Sequence, residues 1–322
     1  MKAVQINEFG GPEAMKFQDV ADPTPGEGEA VVQIQAAGVN YTDVYSRAGI
    51  NPGPPLPRTI GVEGAGVVSA VGRGVSEVSV GDEVVYCSVN GSYAEQALVP
   101  AWRLVKRPAG LDAKAGAAAM LQGMTAHYLC HSTYAVQPGD RVIVHAGAGG
   151  MGLILTQMIK NLGGYVFTTV STEDKARMSR EAGADHAIIY TQEDFAEVVK
   201  DATGGEGVRV VYDGVGKTTF HQSVSSLGRR GVMALYGAAS GNPDPIDPRM
   251  FAAGSLYLTR PGLGDYTVDR AELEHRAGDV LGWVAGGSLK LHIGHELPLS
   301  EAPEAHRLLE SRATTGKLLL IP

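Results

Sequence analysis

The stretch Gly147-Ala148-Gly149-Gly150-Met151-Gly152 spaces three glycines as G-x-G-x-x-G. It lies between the apolar run Arg141-Val-Ile-Val-His-Ala146 and the helical pattern Leu153–Leu162. A strand, a bare turn and a helix in that order point to a dinucleotide site, the alternative being a plain strand-to-helix turn. The pyrophosphate must approach backbone N–H groups at a helix N-terminus, and side chains in the turn would block it. The choice of dinucleotide is read at the end of the second strand, Tyr165–Val170. An Asp or Glu about 20 residues past the turn would hold the 2′-hydroxyl of NAD. Here the chain offers Ser171, Thr172 and Lys175, two hydroxyls and a cation, with Glu173 and Asp174 between them. That set suits a 2′-phosphate and points to NADP(H). Ser171 also reads as a helix N-cap, with Asp174 closing a capping box.

Other reactive residue types carry less. His145, at the strand end beside the glycines, reads as a satisfied structural histidine rather than an acid/base. Cys87 and Cys130 belong to no C-x-x-C pair and read as small core residues. With so few cysteines a disulfide framework is not expected, and the cytoplasm is the expected compartment. The start of the chain, MKAVQINEFGG, reads as a first strand without a signal-peptide core. No stretch approaches the ~20 apolar residues of a membrane span. Lys and Arg total 27 against 35 Asp and Glu, a formal charge of −8 with no basic stripe, so nucleic acid is not an expected partner.

Two kinds of element must position these groups. The first third is turn-rich and strand-like: Ala30–Gln35, Gly66–Gly72 and Gly81–Tyr86 predict a compact β-rich, barrel-like unit. Asn51-Pro-Gly-Pro-Pro-Leu-Pro57 reads as a loop, because its prolines lack ladder donors. Near residue 123 the pattern changes. Strands 141–146, 165–170, 187–190, 208–212 and 231–236 alternate with helices 153–162, 173–182, 194–202 and 218–227, which predicts a doubly wound parallel sheet. A further strand over 254–259, helices over 270–285 and 300–312, and a terminal strand over 317–322 follow. The last strand is expected to return to the first domain. The strand over 254–259 reads as an apolar edge that could pair with a second subunit.

Two segments of the first domain, Gly38-Val39-Asn40-Tyr41-Thr42-Asp43 and Gly61-Val62-Glu63-Gly64-Ala65-Gly66-Val67-Val68, resemble the medium-chain dehydrogenase/reductase superfamily. Its zinc alcohol dehydrogenases carry G-V-C-x-T-D and G-H-E-G-x-G-x-V. Asn40 stands at the Cys position and Val62 at the His position. Met120–Thr125, where a third ligand would lie, has no Cys. Asn90–Glu95 runs straight toward the next strand without a four-cysteine lobe. Zinc needs three or four well-placed N, S or O ligands, so no metal is expected. The chain is similar over its whole length to the zinc-independent quinone oxidoreductase (zeta-crystallin-like) branch, through Ala37–Tyr45, His145–Gly152, Val210–Gly216, Gly254–Pro261 and Glu310–Gly316.

That resemblance implies an α/β architecture: a GroES-like β-rich barrel domain over 1–122, completed by about 295–322, and a Rossmann-type NADP-binding domain over 123–294. It implies that Tyr41, Thr42, Asp43, Val44, Tyr45 and Tyr128 line the nicotinamide side, and that Gly150 and Met151 meet the pyrophosphate. Ser171, Thr172 and Lys175 would hold the 2′-phosphate, with Tyr190 beside the adenine ribose. Gly237, Ala238, Ala239, Ser240, Pro261, Gly262 and Leu263 would contact the nicotinamide half, and Arg312 would reach the cofactor from the C-terminal segment. The acceptor is expected near Asn40, Tyr45 and Asn51, with Tyr45 the candidate proton donor. The bacterial enzymes resembled often carry a tyrosine where Asn51 stands, a change that removes a stacking platform for a flat ring. The implied reaction is NADPH-dependent reduction of a small quinone. An enone or 2-alkenal reductase and a non-catalytic, crystallin-like NADPH-binding protein are the alternatives. The resemblance also implies a homodimer.

Overall fold

The computed structural model describes residues 1–51 and 53–322. Pro52, part of the loop expected over 51–57, lies outside the described residues. The chain forms two compact units, one of Met1–Met124 with Thr267–Pro322 and one of Thr125–Tyr266. The chain therefore returns to the first unit at Thr267, not at about 295. The reason is the packing of a helix over 270–285. Arg270 there donates to the carbonyls of Trp102 (2.9 Å) and Leu104 (3.0 Å), and Val280 packs where Gly123 has no side chain.

The first unit is β-rich. Its strands are β1 (Lys2–Ile6), β2 (Met15–Asp19), β3 (Glu29–Val39), β4 (Arg58–Thr59), β5 (Glu63–Val71), β6 (Glu83–Cys87), β7 (Gln96–Pro100) and β8 (Val105–Lys106). Helix α1 (Tyr41–Arg47) follows β3, and α2 (Ala113–Tyr128) ends the first pass. β3 is the hub, since β16 (Lys317–Ile321), β5 and β7 all pair with it. Its register with β5 shifts between Val31 and Val32 and between Ile34 and Ala36, and such bulges bend a long strand so that one strand can serve several neighbours. The core is apolar, with Val4, Ile6, Val32, Ile34, Val68, Tyr86, Leu318 and Leu320 among its buried residues.

The second unit is a six-stranded, wholly parallel sheet. Its strands are β9 (Arg141–Val144), β10 (Tyr165–Val170), β11 (His186–Ile189), β12 (Val208–Asp213), β13 (Leu227–Leu235) and β14 (Tyr257–Thr259), in the order β11-β10-β9-β12-β13-β14. Helices α3 (Gly150–Asn161), α4 (Glu173–Glu181), α5 (Phe195–Ala202) and α6 (Phe220–Ser225) connect them. The order reverses direction at β9 and β12, so the crevice beyond their carboxyl ends is where such sheets take ligands. The chain then adds α7 (Arg270–Ala285), β15 (Ile293–Pro298) and α8 (Ala302–Glu310) before β16. Several expected boundaries move: β5 starts at Glu63 rather than 66, β13 at Leu227 rather than 231, and α6 shrinks to Phe220–Ser225. The strand expected over 254–259 keeps only Tyr257–Thr259 and forms the sheet edge, with Tyr257 and Leu258 exposed.

Candidate active site

In the second unit the glycine turn follows β9 directly and leads into α3. Ala146 holds a φ of 54°, in the left-handed region. A Cβ on Gly152 would lie 2.3 Å from the Ala146 oxygen and 2.8 Å from the Gly147 Cα, so backbone contact excludes any side chain there. A Cβ on Gly149 would meet only the Ala146 oxygen, at 3.3 Å. Gly149 is the N-cap of α3 and no side chain caps the helix, so the first-turn N–H groups of Gly150 and Met151 form the start of an uncapped 12-residue helix.

The neighbouring strand ends carry the other candidates. Ser171 and Thr172 follow β10, and Tyr190 follows β11, where its N–H donates to Val170 O (3.1 Å). Thr191 Oγ1 donates to Ser171 O (3.1 Å), which holds Tyr190 and Ser171 on adjacent strand ends. The N-cap of α4 is Thr172, not Ser171. Thr172 Oγ1 accepts from the N–H of Lys175 (3.3 Å), so the expected Ser171–Asp174 capping box does not form and Ser171 is left out of the cap. The two acids between them turn outward, Glu173 to Arg180 (2.7 Å) and Asp174 to Arg177 (3.0 Å). Partial burial lowers the Lys175 ammonium pKa. Beyond β13, Gly237–Ser240 fold back on the 213–216 turn through Ala239 N to Gly214 O and Ser240 Oγ to Val215 O. Beyond β14, the Pro261 carbonyl accepts from Tyr128 Oη (3.4 Å), and the Tyr128 ring stacks on Tyr266 at 4.2 Å. Gly150, Met151, Ser171, Thr172, Tyr190, the Gly237–Ser240 turn and Pro261–Leu263 thus all follow carboxyl strand ends of one sheet.

His145 is fully buried beneath this rim. Its Nδ1 meets Thr169 Oγ1 and its Nε2 meets Ser223 Oγ, both at 2.8 Å, and Ser223 Oγ donates to Asp213 Oδ2 (3.1 Å). Burial lowers its pKa, so it stays neutral and ties β9, β10 and α6 together. Asp213 in turn accepts from Val215 N and Gly216 N and shapes the turn after β12. Cys87 and Cys130 are buried, and burial pushes both thiols up to about 12, which makes them poor nucleophiles.

In the first unit, helical periodicity splits the run 41–45. Tyr41, Thr42 and Tyr45 are half-buried, whereas the Asp43 and Val44 side chains turn into the core. The Tyr41 and Tyr45 rings lie 6.2 Å apart, and Tyr41 Oη donates to Leu309 O (3.1 Å) on α8. Asn51 lies at the other end of this surface, its Nδ2 3.5 Å from Thr42 Oγ1. Arg312 follows α8 with a φ of 59°, a left-handed position where helices usually place glycine.

Asn40 is not on that surface. It is 4% exposed, and its polar atoms are engaged inside the unit. Nδ2 donates to Glu63 Oε2 (2.8 Å) and Gly38 O (3.3 Å), while Oδ1 accepts from Lys317 Nζ (2.7 Å). Lys317 Nζ also pairs with Glu63 Oε2 at 2.6 Å, and Glu63 Oε1 accepts from Leu121 N. Asn40 caps α1, and Asp43 closes the capping box by accepting from Asn40 N (2.8 Å). A second chain of bonds starts there. Tyr93 Oη donates to Asp43 Oδ2 (3.0 Å) and meets His306 Nε2 (3.2 Å), and His306 Nδ1 faces Arg47 Nη1 (3.1 Å). Arg47 grips Glu310 with two 3.0 Å bonds. A guanidinium can only donate, so His306 Nδ1 must accept and Nε2 carries the proton. Burial, then Arg47, pushes the His306 pKa down to about 3. Burial pushes Asp43 up to about 7, against the opposing pull of Asn40, Tyr93 and Lys317. Glu63, Lys317, Tyr93, Arg47 and His306 were not singled out as site residues from the sequence beyond Glu63's motif. The one available signal was a lysine opening the apolar run Lys317-Leu-Leu-Leu-Ile321.

The parallel sheet with its glycine turn and the β-rich partner unit define the two-domain oxidoreductase class. Residues 26–109 match the alcohol dehydrogenase GroES-like domain and residues 150–274 match the zinc-binding dehydrogenase family. The chain is 42% identical to a 2-haloacrylate reductase from a Burkholderia species, over 99% of this chain and 98% of that protein. It is 40% identical to quinone oxidoreductase 1 of Escherichia coli, over 99% of each. The structure of the Escherichia coli quinone oxidoreductase complexed with NADPH superposes with a TM-score of 0.98 at 39% identity, over 100% of both chains. The chain belongs to the quinone oxidoreductase branch of the medium-chain dehydrogenase/reductase superfamily.

A zinc ion implied by one matched family does not fit the corner at Asn40. The oxygens that could ligate it, Asn40 Oδ1 and Glu63 Oε2, both face the Lys317 ammonium, which repels a second cation. Val62 offers no donor. Among the described residues, no helix is long and apolar enough to cross a membrane.

Proposed function

We propose that the protein uses NADPH to reduce a small quinone or a related conjugated electrophile. The observation that carries the reading is the β10 end: Ser171 and Thr172 follow the strand, the Lys175 N–H donates to Thr172 Oγ1, and Glu173 and Asp174 pair with Arg180 and Arg177. Hydroxyls and an ammonium suit a 2′-phosphate. The uncapped α3 N-terminus holds the pyrophosphate at Gly150 and Met151. Tyr190 lies by the adenine ribose, and Gly237–Ser240, Pro261–Leu263 and Tyr128 hold the nicotinamide half. From the first unit, Tyr41, Thr42, Tyr45 and Arg312 serve the nicotinamide and acceptor side. Asp43 and Val44 serve it only by setting α1.

Bound NADPH supplies a hydride, and the protein supplies position and electrostatics. A quinone or an activated alkene takes a hydride without a strong Lewis acid, because charge moves onto a conjugated oxygen. Tyr45 is the side chain assigned to hold a proton near that oxygen, with Asn51 beside it. The 2-haloacrylate reductase relative favours a second reading, reduction of an electron-poor alkene on the same surface. Stopped-assay NADPH oxidation with 1,4-benzoquinone and with a short 2-alkenal separates them. Faster benzoquinone turnover supports the first reading, and alkenal turnover without quinone turnover replaces it. NADPH binding with no turnover of either supports the crystallin-like alternative. We also assign a homodimer through the exposed β14 edge and a cytoplasmic location, the latter supported by two buried, unpaired cysteines.

A further inference from the structure

The cluster at the start of α1 holds a charge that the reaction surface does not use. Lys317 is 2% exposed and Glu63 is 0% exposed. Burying two ions costs more than their attraction returns unless further bonds support both, and here each ion gains at least one more partner besides the other. The ammonium has Glu63 Oε2 at 2.6 Å and Asn40 Oδ1 at 2.7 Å; the carboxylate has the ammonium, Asn40 Nδ2 and Leu121 N. The bonds run from the last strand, through one amide, to the N-cap of α1. Asn40 presents its carbonyl to Lys317 and its NH2 to Glu63, so the amide has a single orientation. Its backbone N–H then meets Asp43, and the first turn of α1 starts from that fixed point.

We infer that Lys317 is the resident cation of the Asn40–Glu63 corner: it occupies the place a metal ion would need and positions α1 through Asn40. The inference rests on the reading above only where it calls α1 the carrier of acceptor-side residues. Lys317 is a positioning residue and touches no substrate. A zinc ion could enter only by displacing an ammonium held by two strong acceptors in a closed site.

The test has two arms on the full-length protein. Equilibrium dialysis against zinc, with Glu63→Gln as the control, asks about the metal. The expected result is no stoichiometric zinc that depends on Glu63; a full equivalent bound by wild type and lost in Glu63→Gln overturns the inference. The second arm compares Lys317→Met with Lys317→Met/Glu63→Gln. The single variant leaves a bare buried carboxylate and melts well below wild type, and the double variant regains most of the melt. The kcat with benzoquinone stays down about tenfold in the double variant, because the bond from Lys317 to Asn40 is still missing. The NADPH dissociation constant stays within about twofold of wild type, since no group on the dinucleotide rim has changed. Wild-type kcat in the double variant would reduce Lys317 to charge balance and overturn positioning. If the double variant does not fold, Asn40→Ala replaces it. That variant keeps the ion pair, and the same kcat loss at unchanged NADPH affinity is expected, whereas wild-type kcat overturns the claim. If wild type turns over neither quinone nor alkenal, the proposed reaction fails, and the zinc arm still judges the resident cation.

Discussion

The two units differ in what they leave open beside their buried polar networks. In the first, charges are closed on one another: Lys317 on Glu63 and Asn40 inside the core, and buried Arg47 on His306 and on Glu310 at the surface. The second also has a closed network, at His145, Thr169, Ser223 and Asp213, but above it Ser171, Thr172 and Lys175 stay accessible near a helix that no side chain caps. A closed cluster fixes geometry and leaves nothing for a ligand. An open rim leaves donors that a ligand can complete. The contrast assigns positioning to one and cofactor binding to the other, and both halves can be tested.

The largest effect is expected from opening the closed cluster. Lys317→Met strips a buried carboxylate of its partner and should cost about 3–5 kcal/mol in stability, read from urea unfolding midpoints. A variant that unfolds like wild type would show that the pair is not closed in solution. At the open rim, Lys175→Ala should leave the fold intact and weaken NADPH by about 2 kcal/mol, roughly thirtyfold, because one charge-assisted bond is lost. Titration of NADPH fluorescence measures it. NADH affinity should stay unchanged, and equal losses for both would remove Lys175 from the phosphate.

Proton linkage sharpens the same comparison. His306 stays neutral in the folded state down to about 3, whereas an unfolded histidine protonates near 6.5. Its contribution to stability is therefore lost as pH falls from about 6.5 toward 3. Asp43 is raised to about 7, against about 4 in the unfolded chain, so its contribution is present below about 4 and lost as pH rises through about 7. Between about pH 4 and 6.5 the two slopes oppose. Asp43→Asn should uncover the histidine slope and make stability fall on acidification, by up to about 1.4 kcal/mol per pH unit. His306→Gln should do the reverse and leave the protein more stable at pH 5 than at pH 7. Unfolding midpoints at the two pH values decide it; parallel curves for both variants would show that neither group is perturbed. The smallest stability effect is expected at Arg312. Its left-handed backbone favours glycine by about 1 kcal/mol, so Arg312→Gly should melt no lower than wild type while binding NADPH more weakly.

The second unit was largely legible in the sequence. Its parallel strands are buried on both faces and read as apolar runs, and the glycine turn marks the first crossover. The placement of the α4 cap was not, since Ser171 and Thr172 are both good N-cap residues and only the backbone selects Thr172. α2 escaped notice because Ala113–Tyr128 is rich in alanine and glycine and shows no clear polar face. β15 escaped because Ile293-Gly-His-Glu-Leu-Pro298 mixes polar residues with Gly and Pro, which suits an edge strand and gives no alternation. The closed cluster was hidden by distance along the chain. Glu63 and Lys317 are separated by 254 residues, and each alone is an ordinary charged residue. The same cause misplaced Asn40, whose motif position suggested the acceptor surface but whose partners lie inside. The return to the first unit at Thr267 was hidden too, because it depends on the contacts of α7 and not on its periodicity.

The proposed 2′-phosphate contacts at the β10 rim are tested by a side-by-side titration of wild-type protein with NADPH and NADH. NADPH should bind at least about thirtyfold more tightly, the equivalent of one charge-assisted contact to Lys175 with help from Ser171 and Thr172. Equal binding of the two dinucleotides, or preference for NADH, would contradict it.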